Sequence, residues 1–169
     1  MRRRQTTGAI DDEPAGADIY RATDYPLHYL ASIQRRNFEN MSRALRPHGV
    51  TPQEWRFLAV LSERDGQGVS ELAEMSVVER TRTSRIVDAM EKRGLVRKRV
   101  YGADRRMTII ELTAAGRAKF REVLPVVRKV HGYLMHGLSQ SEFDALMKTL
   151  RKMKDNAFRT EAIRRLYRD

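Results

Sequence analysis

Residues Glu79 to Arg106 read ERTRTSRIVDAMEKRGLVRKRVYGADRR, an amphipathic helical pattern that passes through a glycine into a basic β pattern. Thr83, Ile86, Val87 and Met90 recur at the three- and four-residue spacing of one helix face. Thr81, Arg82, Arg85 and Asp88 fall on the opposite side, with Arg80 and Ser84 along the flanks. Gly94 suits the left-handed C-terminal cap of that helix. Leu95 to Tyr101 then reads as a strand, Gly102 to Arg106 as a hairpin tip, and Met107 to Leu112 as a returning strand rich in β-branched residues. The stretch holds ten basic against four acidic side chains, a net +6 of the chain's formal +11. A buried apolar stripe backed by short donors and arginines fits the DNA major groove, where arginine pairs in bidentate fashion with guanine.

Upstream, the punctuation predicts a series of helices. Leu27, Leu30, Gln34, Phe38, Met41 and Leu45 keep helical spacing between Asp24-Tyr25-Pro26 and Pro47-His48-Gly49, which defines a long first helix. Thr51-Pro52-Gln53-Glu54 is a capping box with proline at the first helical position, followed by an apolar face of Trp55, Leu58, Ala59 and Leu61. Asp65 to Gly68 reads as a turn. Ser70 is the expected cap of a short helix from Glu71 to Met75, and Ser76-Val77-Val78 connects it tightly to the helix of the opening stretch. Two helices joined so briefly are a helix-turn-helix, and the hairpin behind them is a wing.

Downstream, Thr113 caps a helix expected to reach His136 and to bend at Pro125, with Phe120, Leu124, Val127, Val130, His131 and Leu134 on related faces. Ser139-Gln140-Ser141-Glu142 is a second capping box. The last helix carries Phe143, Leu146, Met147, Leu150, Met153, Ala157 and Phe158, continuing to Ile163 and Leu166. This apolar stripe and that of the first helix exceed what one small lobe can cover, so a second copy of the chain is expected to interleave with them as a twofold dimer.

The composition narrows the class. The chain has 169 residues, 41% of them hydrophobic, enough for one core. Its charge of +11 favours a polyanionic partner. The absence of cysteine removes disulfides, thiol sensing and thiolate metal sites. No stretch has the ~20 apolar residues of a membrane span, so a cytoplasmic protein is expected. His28, His48, His131 and His136 lack zinc-ligand spacing, and neither a nucleophile triad nor a phosphate loop is present. The expectation is no metal, no cofactor and no enzymatic activity. Residues 1–22, with Arg2 to Arg4 ahead of a patch rich in Gly, Pro and Asp, read as a flexible arm or as an arm that touches DNA or a partner subunit.

In sum the pattern is mainly α with a small β-hairpin wing. Its order resembles the MarR family of winged helix-turn-helix regulators. The likeness is carried by Arg80-Thr81 with Arg85, Gly94-Leu95-Val96, Asp104-Arg105-Arg106, Leu112-Thr113-Ala114-Ala115-Gly116 and Gly137-Leu138-Ser139 with Glu142, and it spans about Leu27 to Phe158. It departs at Arg82, where the family commonly has a small or apolar residue, and in the length of the N-terminal arm.

The resemblance implies one domain over 23–169, with a DNA-binding lobe at 51–113 and dimerisation helices at 24–46 and 114–167. Arg80, Thr81, Arg82, Thr83, Ser84 and Arg85 are then the DNA-reading set. One of Arg105 and Arg106 would enter the minor groove, oriented by Asp104. A repressor released from a pseudo-palindromic operator is the expected activity. Its small effector, an aromatic acid or thioester, would sit near Tyr25, His28, Tyr29, Arg36, Phe38, Trp55 and Arg56. Two other classes share these features: a constitutive architectural DNA-binding protein, and a protein-interaction module with a vestigial helix-turn-helix.

Overall fold

In the computed structural model, which describes residues 21–101 and 107–158, helix boundaries follow the caps. Helix α1 spans Pro26–Leu45 and ends in a single 3-10 turn, Arg46–His48. Helix α2, Pro52–Glu63, opens on the expected box: Glu54 N–H donates to Thr51 Oγ1 at 3.2 Å, and Thr51 N–H donates to the Glu54 carboxylate at 2.8 Å. The box has a further partner. The Arg93 guanidinium, at the far end of the helix-turn-helix, donates to Glu54 at 2.7 Å and to the Gly49 carbonyl at 2.6 Å. Glu54 is thereby buried with every demand of its charge met.

Two local expectations are corrected next. Gln67–Gly68, read as part of a turn, forms a short strand β1 that pairs antiparallel with a later strand. Ser70 does not cap the short helix. Helix α3 runs Val69–Ser76 with Gly68 at its N-cap, so Ser70 lies inside the first turn. The pairing of β1 places Gly68 in extended backbone and starts the helix before Ser70.

Helix α4, Arg80–Lys92, follows after three residues. Its exit is a Schellman turn: Gly94, at φ +69°, donates to the Glu91 carbonyl at 2.8 Å, and Leu95 N–H donates to Met90 at 2.9 Å. Strands β2, Val96–Tyr101, and β3, Met107–Leu112, pair antiparallel from Val96↔Leu112 to Tyr101↔Met107, and the sheet order is β1-β3-β2. The period of two sends Val96, Ile110 and Leu112 into the core. Arg97 and Glu111 meet on the outer face.

Helix α5 runs Ala114–Leu134 and is not interrupted at Pro125. The core draws on both ends of the chain. Met41 and Leu45 of α1, Phe57, Leu58 and Leu61 of α2, Leu72, Val87 and Met90, and Val123 and Val127 of α5 form one cluster. Phe57 and Val123, fully buried, were absent from the apolar faces read from spacing, and Ala59 proves only partly buried. Helix α6, Gln140–Ala157, has its capping box but buries no residue. Ile163 and Leu166 lie outside the described residues, as do residues 1–20.

The joint between α4, the wing and α5 is the tightest contact of the fold. Leu95 carbonyl accepts Thr113 N–H at 3.1 Å, and Thr113 Oγ1 donates to Gly94 carbonyl at 2.6 Å while capping Gly116 N–H at 3.0 Å. A Cβ on Gly116 would stand 2.0 Å from Leu95 O. Gly116→Ala should therefore cost about 3 kcal/mol of stability, at the upper end for overpacking because the opposing atom is backbone. Chemical denaturation followed by circular dichroism measures it.

Candidate nucleic-acid interface

The start of α4 is set by Glu79. Its carboxylate accepts the N–H groups of Thr81 at 2.7 Å and Arg82 at 2.8 Å, satisfying two donors the helix leaves free. These backbone bonds hold its carboxyl below the usual glutamate range, with Arg85 adding attraction. Ahead of it, Val77 sits at φ +54° as the left-handed residue of a second Schellman turn, its N–H on Glu74 at 3.1 Å and that of Val78 on Ala73 at 3.0 Å. A β-branched residue there costs about 1–2 kcal/mol, and its side chain, 79% exposed, recovers little by burial.

The outer face of α4 presents Arg80, Thr81, Arg82 and Arg85, all exposed, and none of these arginines forms an ion pair among the described residues. Ser84, half-buried, donates to the Arg80 carbonyl at 3.3 Å. Thr83 must be removed from the DNA-reading set. It is fully buried, and its hydroxyl donates to Glu79 carbonyl at 3.0 Å, because it belongs to the stripe that seats the helix.

The basic charge of the segment is also less free than its count implies. Arg93 is committed to Glu54. Arg97 and Arg99 both face Glu111, at 2.7 and 3.6 Å. Lys98, on the other face of β2, pairs with Asp88 and Glu91 of α4, and these carboxylates raise its pKa, Asp88 most. They brace the wing strand against the helix. Asp104, Arg105 and Arg106 lie outside the described residues.

Behind the helix-turn-helix, a cavity of about 440 Å³ separates α1, α2 and α5. Phe38, Met41, Trp55, Val77 and Val78 supply its apolar wall, and Gln34, Asn37 and Gln53 its amides. Its charged lining is Arg56, Arg82 and Glu79, and His131 adds an imidazole. Trp55 is held by a parallel stack on Phe120, ring centroids 5.3 Å apart. Arg56 donates to the Ser76 carbonyl, the last residue of α3, at 3.1 Å.

Of the seven residues expected near an effector, Phe38, Trp55 and Arg56 line this cavity. Arg36 lies in a separate groove with Ile33, Val130 and Tyr133, paired to Glu39 at 3.0 Å. Tyr29 donates to Asp24 at 3.0 Å and stands edge-on to His28 near the start of α1, and Tyr25 caps that helix; none of the three lines the cavity. Spacing along α1 could not distinguish the turn that faces the cavity from the turn that faces away. His131, Glu79 and Arg82 were not foreseen as cavity residues, since each comes from a different element than α1 and α2.

Helix-turn-helix, braced wing and exposed arginines define a winged-helix DNA-binding protein. Residues 48–107 match the model of the MarR family. The chain is similar to the transcriptional repressor MprA of Escherichia coli K12, 32% identical over 123 residues that cover 72% of this chain and 70% of that one. It is similar in structure to a MarR family regulator from Silicibacter pomeroyi, 32% identical, TM-score 0.71, over 78% of this chain and 89% of the other. A further fold likeness, TM-score 0.74 at 21% identity over 81% and 98%, is to Bordetella bronchiseptica BpsR, a protein whose DNA binding is regulated by 6-hydroxynicotinic acid. The chain belongs to the MarR family of transcriptional regulators. Among the described residues no helix is long and apolar enough to cross a membrane.

The Glu79 cap makes α4 sensitive to acid. With its carboxyl lowered in the folded state, its contribution to stability is complete above the ordinary glutamate range and is lost as pH falls through the lowered value. Glu79→Gln should melt at a lower temperature than the parent at neutral pH, the difference shrinking as pH drops into that window. Thermal melts across an acid pH series read both effects.

Proposed function

We propose that this chain is a homodimeric repressor whose grip on a pseudo-palindromic operator is released by a small aromatic acid, or its thioester, bound in the cavity behind the helix-turn-helix. The carrying observation is that the cavity reaches α4 itself: Glu79, the cap of the reading helix, and Arg82, in its first turn, both belong to the cavity wall. Apolar and aromatic walls with a few convergent cations suit a planar anion, and a volume of this size suits a small molecule. The response of BpsR to an aromatic acid is in keeping with this reading, and the repressor MprA with the sign of regulation.

On this reading Arg80, Thr81, Arg82, Ser84 and Arg85 face the major groove, while Asp104 orients Arg105 or Arg106 into the minor groove. Residues 51–113 form the DNA-binding lobe, and 24–46 with 114–167 form the dimer. Promoter DNA places the protein in the cytoplasm. The dimer rests on apolar surface left exposed among the described residues: Leu27 and Ile33 of α1, Tyr133 and Leu134 at the end of α5, Leu138, and Leu146 of α6. A helix that is firmly capped yet buries nothing is expected to find its core in a second copy. Twofold symmetry then sets the reading helices roughly 34 Å apart, one turn of DNA.

A mobility-shift titration on the promoter of its own gene tests the reading. Arg85→Ala should lose about 1–3 kcal/mol of operator preference with an unchanged melting temperature. Unchanged specific binding would exclude α4 as the reading helix and leave an interaction module. A panel of aromatic carboxylates should dissociate the wild-type complex; a complex indifferent to all of them would point to a constitutive architectural protein. Light scattering on the free protein should give twice the chain mass, and Leu146→Glu should reduce it toward one chain.

A further inference from the structure

We propose that Arg82 is an anion-binding residue shared between effector and operator: its guanidinium holds the carboxylate of the cavity's occupant or a group on DNA, and never both. The proposal rests on the reading of the cavity as an effector site. Arg82 stands where the outer face of α4 meets the cavity. The side chain starts in the first turn of α4, on the face offered to DNA, yet it is also part of the cavity wall. It is exposed and without an ion pair among the described residues, so neither anion must displace an internal partner.

The surroundings favour an anion at this end of the cavity. Among the described lining residues the one carboxylate is Glu79, and each of its oxygens is occupied by a backbone N–H at the helix start. Across the cavity Arg56 of α2 adds a second guanidinium and His131 of α5 an imidazole. Arg56 is partly committed, one nitrogen holding the Ser76 carbonyl. Arg82 is the uncommitted cation best placed to close on a carboxylate, in a forked geometry that guanidinium and carboxylate share. A residue that binds two anions exclusively couples their affinities, and the coupling is reciprocal. Effector release of DNA then needs no rigid-body swing at this contact: an occupied cavity withdraws one arginine from each reading helix.

The test uses the full chain as wild type, Arg82→Ala, Arg82→Lys and Arg85→Ala, with benzoate as probe. Benzoate binding to the DNA-free protein is followed by quenching of Trp55, the chain's single tryptophan. Operator binding is followed by mobility shift with and without benzoate. Arg82→Ala should bind benzoate about tenfold more weakly, the loss of one charge-assisted contact, and its weakened operator complex should no longer respond to benzoate. Arg82→Lys should fall between it and wild type, keeping the charge without the fork. Arg85→Ala should lose operator affinity and keep wild-type benzoate binding. If Arg82→Ala binds benzoate like wild type, or its operator complex is released to the wild-type extent, Arg82 is not shared and the cavity reading stands without it. If the wild type itself fails to bind benzoate at millimolar concentration, the aromatic-anion reading of the cavity falls and takes this proposal with it.

Discussion

The carbonyl and amide of Leu95 are the point on which the DNA-binding lobe turns. Its N–H closes the C-terminal turn of α4, its carbonyl takes the Thr113 amide at the start of α5, and its backbone lies where only a glycine at 116 leaves room. The end of α4, the root of the wing and the beginning of the long α5 helix therefore share one peptide. A displacement of α5 cannot be absorbed by a loop there, because no loop intervenes. Arg93 adds a second fixed point by joining the last turn of α4 to Glu54 and Gly49. Helix α4 is thus anchored firmly at its C-terminal end.

Its N-terminal end is held differently. Three residues connect it to α3, one of them in a strained left-handed conformation with an exposed valine side chain. The Arg56 hydrogen bond to Ser76 carbonyl stabilises that turn from the cavity side. Among the described residues the buried Ser76 Oγ finds no hydrogen-bond partner, so the turn also carries an unmet polar demand. A helix fixed at one end and strained at the other is suited to small changes of tilt. The cavity touches the strained end through Val77, Val78, Glu79 and Arg82.

Helix starts were legible in the sequence wherever a hydroxyl or proline made the cap, as at Thr51, Thr113 and Ser139, because capping chemistry is local. The start of α3 was misread at Ser70 because it is fixed by the pairing of Gln67–Gly68 with Ile109 and Ile110, a partner more than forty residues away. The motif around Gly116 was visible as a likeness, but its cause, a carbonyl from another strand in the place of a methyl group, is a tertiary fact. The same limit applies to the site. Arg82 and Arg85 fall opposite the apolar stripe, with Arg80 on the flank, by periodicity alone, and the burial of Thr83 follows from that same periodicity. The convergence of Phe38, Trp55, His131 and Arg82 on one cavity follows from how α1, α2, α5 and α4 cross, which no spacing within one helix encodes.

Bracing the wing also bears on binding to arbitrary DNA. Glu111 holds Arg97 and Arg99, and Asp88 with Glu91 holds Lys98, so these cations are partly neutralised before any DNA arrives. Residence on arbitrary DNA depends on how many phosphates a protein neutralises and how many counterions it expels. A chain that ties up part of its 33 lysines and arginines in internal ion pairs has fewer of them free for that neutralisation. Pairing within the wing thus lowers the share of binding that owes nothing to sequence, because that share scales with the phosphates neutralised.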